Sequence, residues 1–77
     1  MAVVVYSTPT CPYCNLTKEF LKKNKISFRS VDVSQDEKAQ AEMIKKSGQM
    51  HVPVIDANGT IILGFDEDKL RETLKIK

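Results

Sequence analysis

Tryptophan is absent from this 77-residue chain, histidine occurs once, cysteine twice, and glycine and proline three times each. Two cysteines are too few for the cross-braced frameworks of small secreted domains. Sparse glycine and proline exclude collagen-like and low-complexity chains. No apolar run approaches the ~18 residues of a membrane span. Charge of one sign is lacking too: twelve basic residues against ten acidic leave +2, too little to attract a polyanion or a membrane surface. The start, Met1-Ala2-Val3-Val4-Val5-Tyr6-Ser7, has no charged leader region and too short an apolar run for a secretion signal. A reducing cytoplasm is the expected compartment. There, two nearby cysteines mean chemistry or metal before they mean structure.

What is present fits a single domain over residues 1–77, about half the usual ~150-residue prior. Such a chain buries only roughly 60–65% of the surface it exposes when unfolded. Ala2 to Tyr6 is a continuous β-branched run, read as a strand covered on both faces. Ser7-Thr8-Pro9-Thr10 breaks it. From Pro12 to about Asn24 the pattern turns helical, with Leu16, Phe20 and Leu21 as the apolar stripe, proline at the first position and lysines crowding the end. Ile26 to Val33 reads as a second strand with a slip in its alternation. Ser34-Gln35-Asp36-Glu37 fits a capping box, with Ser34 as N-cap, for a helix running to about Lys46 and stopped by Gly48. Val52–Ile55 and Thr60–Leu63 flank Asn58-Gly59, the signature of a hairpin. Asp66, Glu67 and Asp68 favour a helix start, and Leu70 and Leu74 give that helix an apolar edge. The order βαβαββα predicts an α/β domain with a four-stranded mixed sheet and three helices, its first βαβ unit parallel and right-handed.

Cys11 and Cys14 stand between the first strand and the first helix, the setting of a thioredoxin-like redox motif. Cys11 precedes the helix, so the free N–H groups of Tyr13 and Cys14 and the helix dipole favour its thiolate. A free cysteine titrates near ~8.5, and one at such a helix start commonly falls below about 7.5. Cys14, one turn further in, is better shielded. The expected division is that Cys11 attacks and Cys14 resolves. No basic residue flanks Cys11, so backbone dipoles, not an ion pair, should stabilise its thiolate. Other readings stay open. A static bridge would close a tiny loop and gain little from chain entropy. Zinc wants four ligands, and the chain offers two cysteines and one histidine. A cluster or metal held across a dimer needs fewer ligands per chain. Haem attachment fails, because Asn15 and not histidine follows Cys14.

The segment Tyr6-Ser7-Thr8-Pro9-Thr10-Cys11-Pro12-Tyr13-Cys14 resembles the active-site segment of dithiol glutaredoxins, whose usual motif is Cys-Pro-Tyr-Cys. Ser47–Pro53 and Asn58–Asp66 extend the resemblance over nearly the whole chain, to the small bacterial members of that family. It implies a minimal thioredoxin-like fold and a thiol–disulfide oxidoreductase, with Thr10, Pro12 and Tyr13 supporting the cysteines. It implies a cis Pro53 opposite the disulfide. Glutathione, as co-substrate, would lie along Tyr13, Gln49, His51, Val52 and Pro53, with its γ-glutamyl end at Gly64, Phe65 and Asp66. The implied partners are glutathione, disulfide-bearing or glutathionylated proteins and a reductase system; no bound cofactor or metal is implied, and the chain would act as a monomer. This sequence departs from the family pattern in two places. Thr8 stands where many members have lysine, and Leu63-Gly64-Phe65-Asp66 replaces a Gly-Gly-x-Asp turn. A related alternative is a glutaredoxin-like donor, for example to ribonucleotide reductase, recharged by thioredoxin reductase. A metal- or cluster-carrying dimer is the alternative of another class.

Overall fold

The computed structural model describes residues 3–76; Ala2, which the sequence assigns to the first strand, lies outside them. Seven elements follow in the expected order: β1 (Val3–Ser7), α1 (Pro12–Lys23), β2 (Arg29–Asp32), α2 (Glu37–Ser47), β3 (Val54–Ala57), β4 (Thr60–Leu63) and α3 (Glu67–Leu74). They build one sheet in the order β2-β1-β3-β4. β1 pairs parallel with β2 and antiparallel with β3, which pairs antiparallel with β4.

Period-two alternation sorts the sheet into two apolar layers. Val3, Val5, Ile55, Ala57 and Ile62 pack with Phe20 and Leu21 of α1 and Leu70 and Leu74 of α3. On the opposite face, Tyr6 and Val54 pack with Ala39 and Met43 of α2 and with Val33. β1 is thus covered on both sides, which is why Val3–Tyr6 is continuously apolar and not alternating.

Several boundaries differ from the sequence reading, each for a local reason. The second strand is shorter than Ile26–Val33. Lys25 takes a left-handed conformation (φ 59°), and the Ile26 N–H donates back to the Leu21 carbonyl at 2.8 Å. Residues 26–28 therefore leave the helix outside the ladder, with Ile26 and Phe28 packed on the α1/α3 layer. Ser34 does not cap α2. Its N–H and hydroxyl both donate to the Asp32 carboxylate, and Asp36 is the cap, accepting from the Ala39 N–H at 3.1 Å. Aspartate caps as well as serine, and only Asp36 has the extended backbone next to the first helical residue. Gly48 does stop α2, left-handed at φ 73° and donating to the Ile44 carbonyl. Leu16 is 44% exposed, and Thr17, fully buried, takes its place on the inner face of α1. That burial is tolerated because the Thr17 hydroxyl donates to the Tyr13 carbonyl at 2.9 Å. β3 begins after Val52-Pro53 and runs on through Asp56 and Ala57, leaving Asn58 and Gly59 (φ 53° and 98°) as a two-residue turn.

One polar network joins α2 to the sheet. Lys46 Nζ donates to the Tyr6 hydroxyl at 2.8 Å and to Asp56 Oδ2 at 2.9 Å, and lies 5.3 Å from the Tyr6 ring centroid. Asp56 Oδ1 meanwhile accepts from the Gly59 N–H and ties the hairpin turn. Hydrogen bonds to Tyr6 and Asp56 hold the Lys46 ammonium well above the usual lysine range, and the Lys46 hydrogen bond holds the Asp56 carboxyl below its ordinary value. The depressed Asp56 stabilises the fold above the unfolded carboxylate range near ~4, and the raised Lys46 does so below the unfolded lysine range near ~10. Replacing Lys46 by Met is expected to cost about 1 kcal/mol at pH 7, or roughly 4–8 °C in Tm, modest because the pair is partly solvated. Thermal melts at several pH values check this: the deficit should shrink as pH falls through the Asp56 titration. A pH-independent deficit would mean that Lys46 acts through its contacts with Tyr6 and through packing, not through the Asp56 charge.

Candidate active site

The loop Thr8–Cys11 carries the chain from the centre of the sheet to the start of α1. Cys11 is the helix N-cap, with extended backbone, and Pro12 is the first helical residue. Proline suits that place, since its missing N–H has no partner there to lose. The Cys14 N–H donates to Cys11 Sγ at 3.1 Å, so an orphan donor of the first turn points at sulfur. Cys11 and Cys14 are joined as a disulfide, with Cα atoms 5.2 Å apart. The two sulfurs sit in unequal surroundings: Cys11 keeps 9% exposure and Cys14 none. Thr10 and Pro12 are exposed on either side of Cys11.

A cleft of about 550 Å³ opens beside this turn, lined by Tyr13, Val52, Pro53 and the continuous stretch Leu63–Asp68. Tyr13, between the cysteines, is 62% exposed and forms one wall. The Val52–Pro53 peptide bond is cis, and the Gly64 N–H donates to the Pro53 carbonyl at 2.9 Å. That bond holds the proline loop against the end of β4. Gly64 is left-handed (φ 73°), the region where a side chain is strained, and this turns the chain from β4 into α3. Phe65 packs edge-to-face on Phe20, with centroids 5.9 Å apart, and so anchors the floor of the cleft to the core. Asp66 caps α3 by accepting from the Lys69 N–H at 3.1 Å.

Of the residues expected along a glutathione site, Tyr13, Val52, Pro53, Gly64, Phe65 and Asp66 line this cleft, whereas Gln49 and His51 do not. The Gln49 amide instead donates to the His51 carbonyl at 3.3 Å, on the loop leading to Pro53, and His51 is exposed. Met50 stands out at 65% exposure, on the surface and away from the core, while Met43 is fully buried. Sequence reasoning did not foresee Leu63, Glu67 and Asp68 as lining residues. In the sequence Leu63 marks only a strand end, and Glu67 and Asp68 only a helix start. Among the described residues, no group of three or more His, Cys, Asp or Glu side chains is placed to hold a metal ion. No helix among them is long and apolar enough to cross a membrane.

A four-stranded mixed sheet with three helices, a Cys-x-x-Cys at the start of the first helix and a cis proline beside the cleft define a thioredoxin-like fold and a thiol–disulfide oxidoreductase. The glutaredoxin family model matches residues 3–62, and the chain belongs to the glutaredoxin family. It is 49% identical over 73 residues to a glutaredoxin-like 8.6 kDa protein of the rubredoxin operon of Clostridium pasteurianum, covering 91% of this chain and 97% of that one. The structure superposes with a TM-score of 0.92 on a mutant of the thioredoxin-like protein BC3987, at 32% identity and over 97% of this chain and 96% of that one. It superposes with a TM-score of 0.83 on the glutaredoxin-like NrdH-redoxin of Escherichia coli, described as having a thioredoxin-like activity profile. There the identity is 25%, over 94% of this chain and 93% of that one.

Proposed function

We propose that this glutaredoxin-family protein reduces disulfides through its own dithiol and is recharged by a dithiol reductase of the thioredoxin reductase kind, not by glutathione. In the reduced protein, the Cys11 thiolate attacks one sulfur of a substrate disulfide in line. The substrate S–S bond breaks, a Cys11–substrate bond forms, and the departing thiolate takes a proton from water. Cys14, as thiolate, then attacks Cys11 Sγ, releases the second substrate thiol and closes the Cys11–Cys14 disulfide. Two electrons pass from the dithiol to the substrate, so the cycle calls for no bound cofactor or metal. The roles follow from access and electrostatics: Cys11 is the less deeply buried of the two, at 9% exposure against none for Cys14, and its sulfur receives the Cys14 N–H, an arrangement that favours its thiolate. A monomer in a reducing cytoplasm suffices for this chemistry.

The choice of reductant rests on one observation. The cleft where glutathione would lie has three carboxylates, Asp66, Glu67 and Asp68, and no lysine or arginine among its lining residues. Glutathione is net anionic, and like charges in one cleft repel. The likeness to a redoxin with a thioredoxin-like activity profile supports the same donor. Glutathione remains the second reading, favoured by a cleft of suitable volume that ends at the start of α3, where backbone N–H groups attract a carboxylate.

The two readings separate in a coupled assay of a small neutral disulfide. One arm supplies NADPH and thioredoxin reductase; the other supplies NADPH, glutathione and glutathione reductase. Turnover in the first arm is expected to exceed the second by about tenfold or more, the factor that ~1.4 kcal/mol of unfavourable binding produces. Equal or faster turnover with glutathione overturns the choice of reductant. Turnover in neither arm overturns both.

A further inference from the structure

The cleft has two chemically distinct ends, and together they describe a substrate. One end is apolar: Tyr13, Val52, Pro53, Leu63 and Phe65, with Tyr13 and Leu63 exposed by 62% and 49%. The other is the first turn of α3, with Asp66, Glu67 and Asp68. The chain as a whole is +2, so this end runs against the net charge of the molecule. Internal partners consume little of its negative charge. Asp66 accepts one backbone N–H, from Lys69. Glu67 is bridged by Arg71 at 3.2 Å in an exposed pair. Asp68 has no ion-pair partner among the described residues. Lys69 lines a neighbouring depression with Asp66, Asp68 and Glu72, and not the cleft.

We propose that the cleft selects protein disulfides whose reacting cysteine is flanked by lysine or arginine. The Tyr13, Pro53 and Phe65 wall receives the extended segment, and the Asp66–Asp68 rim receives its positive charge. The proposal rests on the attack by Cys11 described above but not on which reductase restores the dithiol. An extended segment suits the site because Val52 lies outside the β3 ladder and, with the Pro53 carbonyl already taken by the Gly64 N–H, its own N–H and carbonyl are the groups open to strand-like pairing. Charge complementarity then fixes which segments are captured. A basic side chain gains from the carboxylates, and an acidic one is repelled. The chemistry is the exchange already written: the substrate S–S bond breaks, Cys11 and then Cys14 supply the two electrons, and both substrate sulfurs leave as thiols.

The test is a single-turnover reaction with reduced protein freed of reductant, so no recharging system takes part. The substrates are two symmetric peptide disulfides of one length, the cysteine flanked by lysine in one and by glutamate in the other. The lysine peptide is expected to react about tenfold faster at low salt, with the ratio falling as salt screens exposed charges. The Cys11 thiolate would itself favour a cationic substrate, so the decisive quantity is how that ratio changes in variants. Neutralising the rim with Asp66→Asn, Glu67→Gln and Asp68→Asn should bring the ratio down several-fold; Asn at 66 retains a competent helix cap. Asp68→Lys alone, at an exposed and unbridged position, should lower it further per substitution and carries the test if the triple variant fails to fold. A ratio that neither folded variant changes overturns the proposal, as does a wild-type ratio near or below unity.

Discussion

Replacing Cys11 by serine should reduce turnover of any disulfide by at least ~1000-fold, to the background of the uncatalysed exchange, because a hydroxyl does not form the nucleophile that a thiolate provides. The loss will not be one of folding. Cys11 is the N-cap of α1, serine is a better cap than cysteine, and the Cys14 N–H keeps an acceptor. Cys14→Ser should behave differently. Attack by Cys11 survives, but the intramolecular release does not, so the variant should accumulate a covalent adduct between Cys11 and the substrate. Intact-mass measurement after one equivalent of substrate disulfide reads both outcomes: an adduct in Cys14→Ser and none in Cys11→Ser. An adduct on Cys14 in the Cys11→Ser variant would reverse the assignment. The asymmetry expected here is that of burial, since Cys14 has no solvent-exposed surface while Cys11 keeps some.

The largest effect on stability should come from Leu21→Ala. Leu21 is fully buried in the layer that joins α1 and α3 to the sheet. Removing such a side chain costs roughly 3–5 kcal/mol, from lost transfer free energy and an unfilled cavity. A domain this size has about 4–12 kcal/mol in total, so the variant should be substantially unfolded near body temperature or melt some 15 °C or more below the parent. Denaturant unfolding followed by circular dichroism gives the midpoint. A shift below about 1 kcal/mol would mean that the α1/α3 layer closes over the gap and is less tightly packed than its burial implies. The contrast with Lys46→Met is informative: a partly solvated polar network costs less to lose than one buried methyl-rich side chain.

The chain order of elements, the hairpin at Asn58-Gly59, the helix starts at Pro12 and Asp66 and the stop at Gly48 were all legible in the sequence. Each is a local matter: a missing N–H, a capping carboxylate or a positive φ is decided by residues within one turn of each other. Readings failed where two local signals competed. Ser34 and Asp36 both offered a cap, and the choice fell to Asp36 because Asp32 had already engaged Ser34. Leu16 and Thr17 both fitted a helical stripe, and the position of the sheet, not hydrophobicity, decided which pointed inward.

By itself, then, the sequence determined the βαβαββα order and the placement of a cysteine pair at a helix start, because both follow from short-range backbone chemistry. Only the tertiary structure decided what surrounds that pair. Residues 13, 52–53 and 63–68 are far apart in the chain and meet in one cleft because β3 pairs with β1 and β4 folds back on β3. Asp66, Glu67 and Asp68 looked like an ordinary helix N-terminus until that folding placed them on the lining of the cleft beside the cysteine turn, where no lysine or arginine joins them and only Glu67 has an ion-pair partner, Arg71. Tertiary folding likewise left Gln49 and His51 out of the cleft and carried Lys46 to Tyr6 and Asp56. Such long-range meetings depend on sheet topology and register, which no local window of sequence contains.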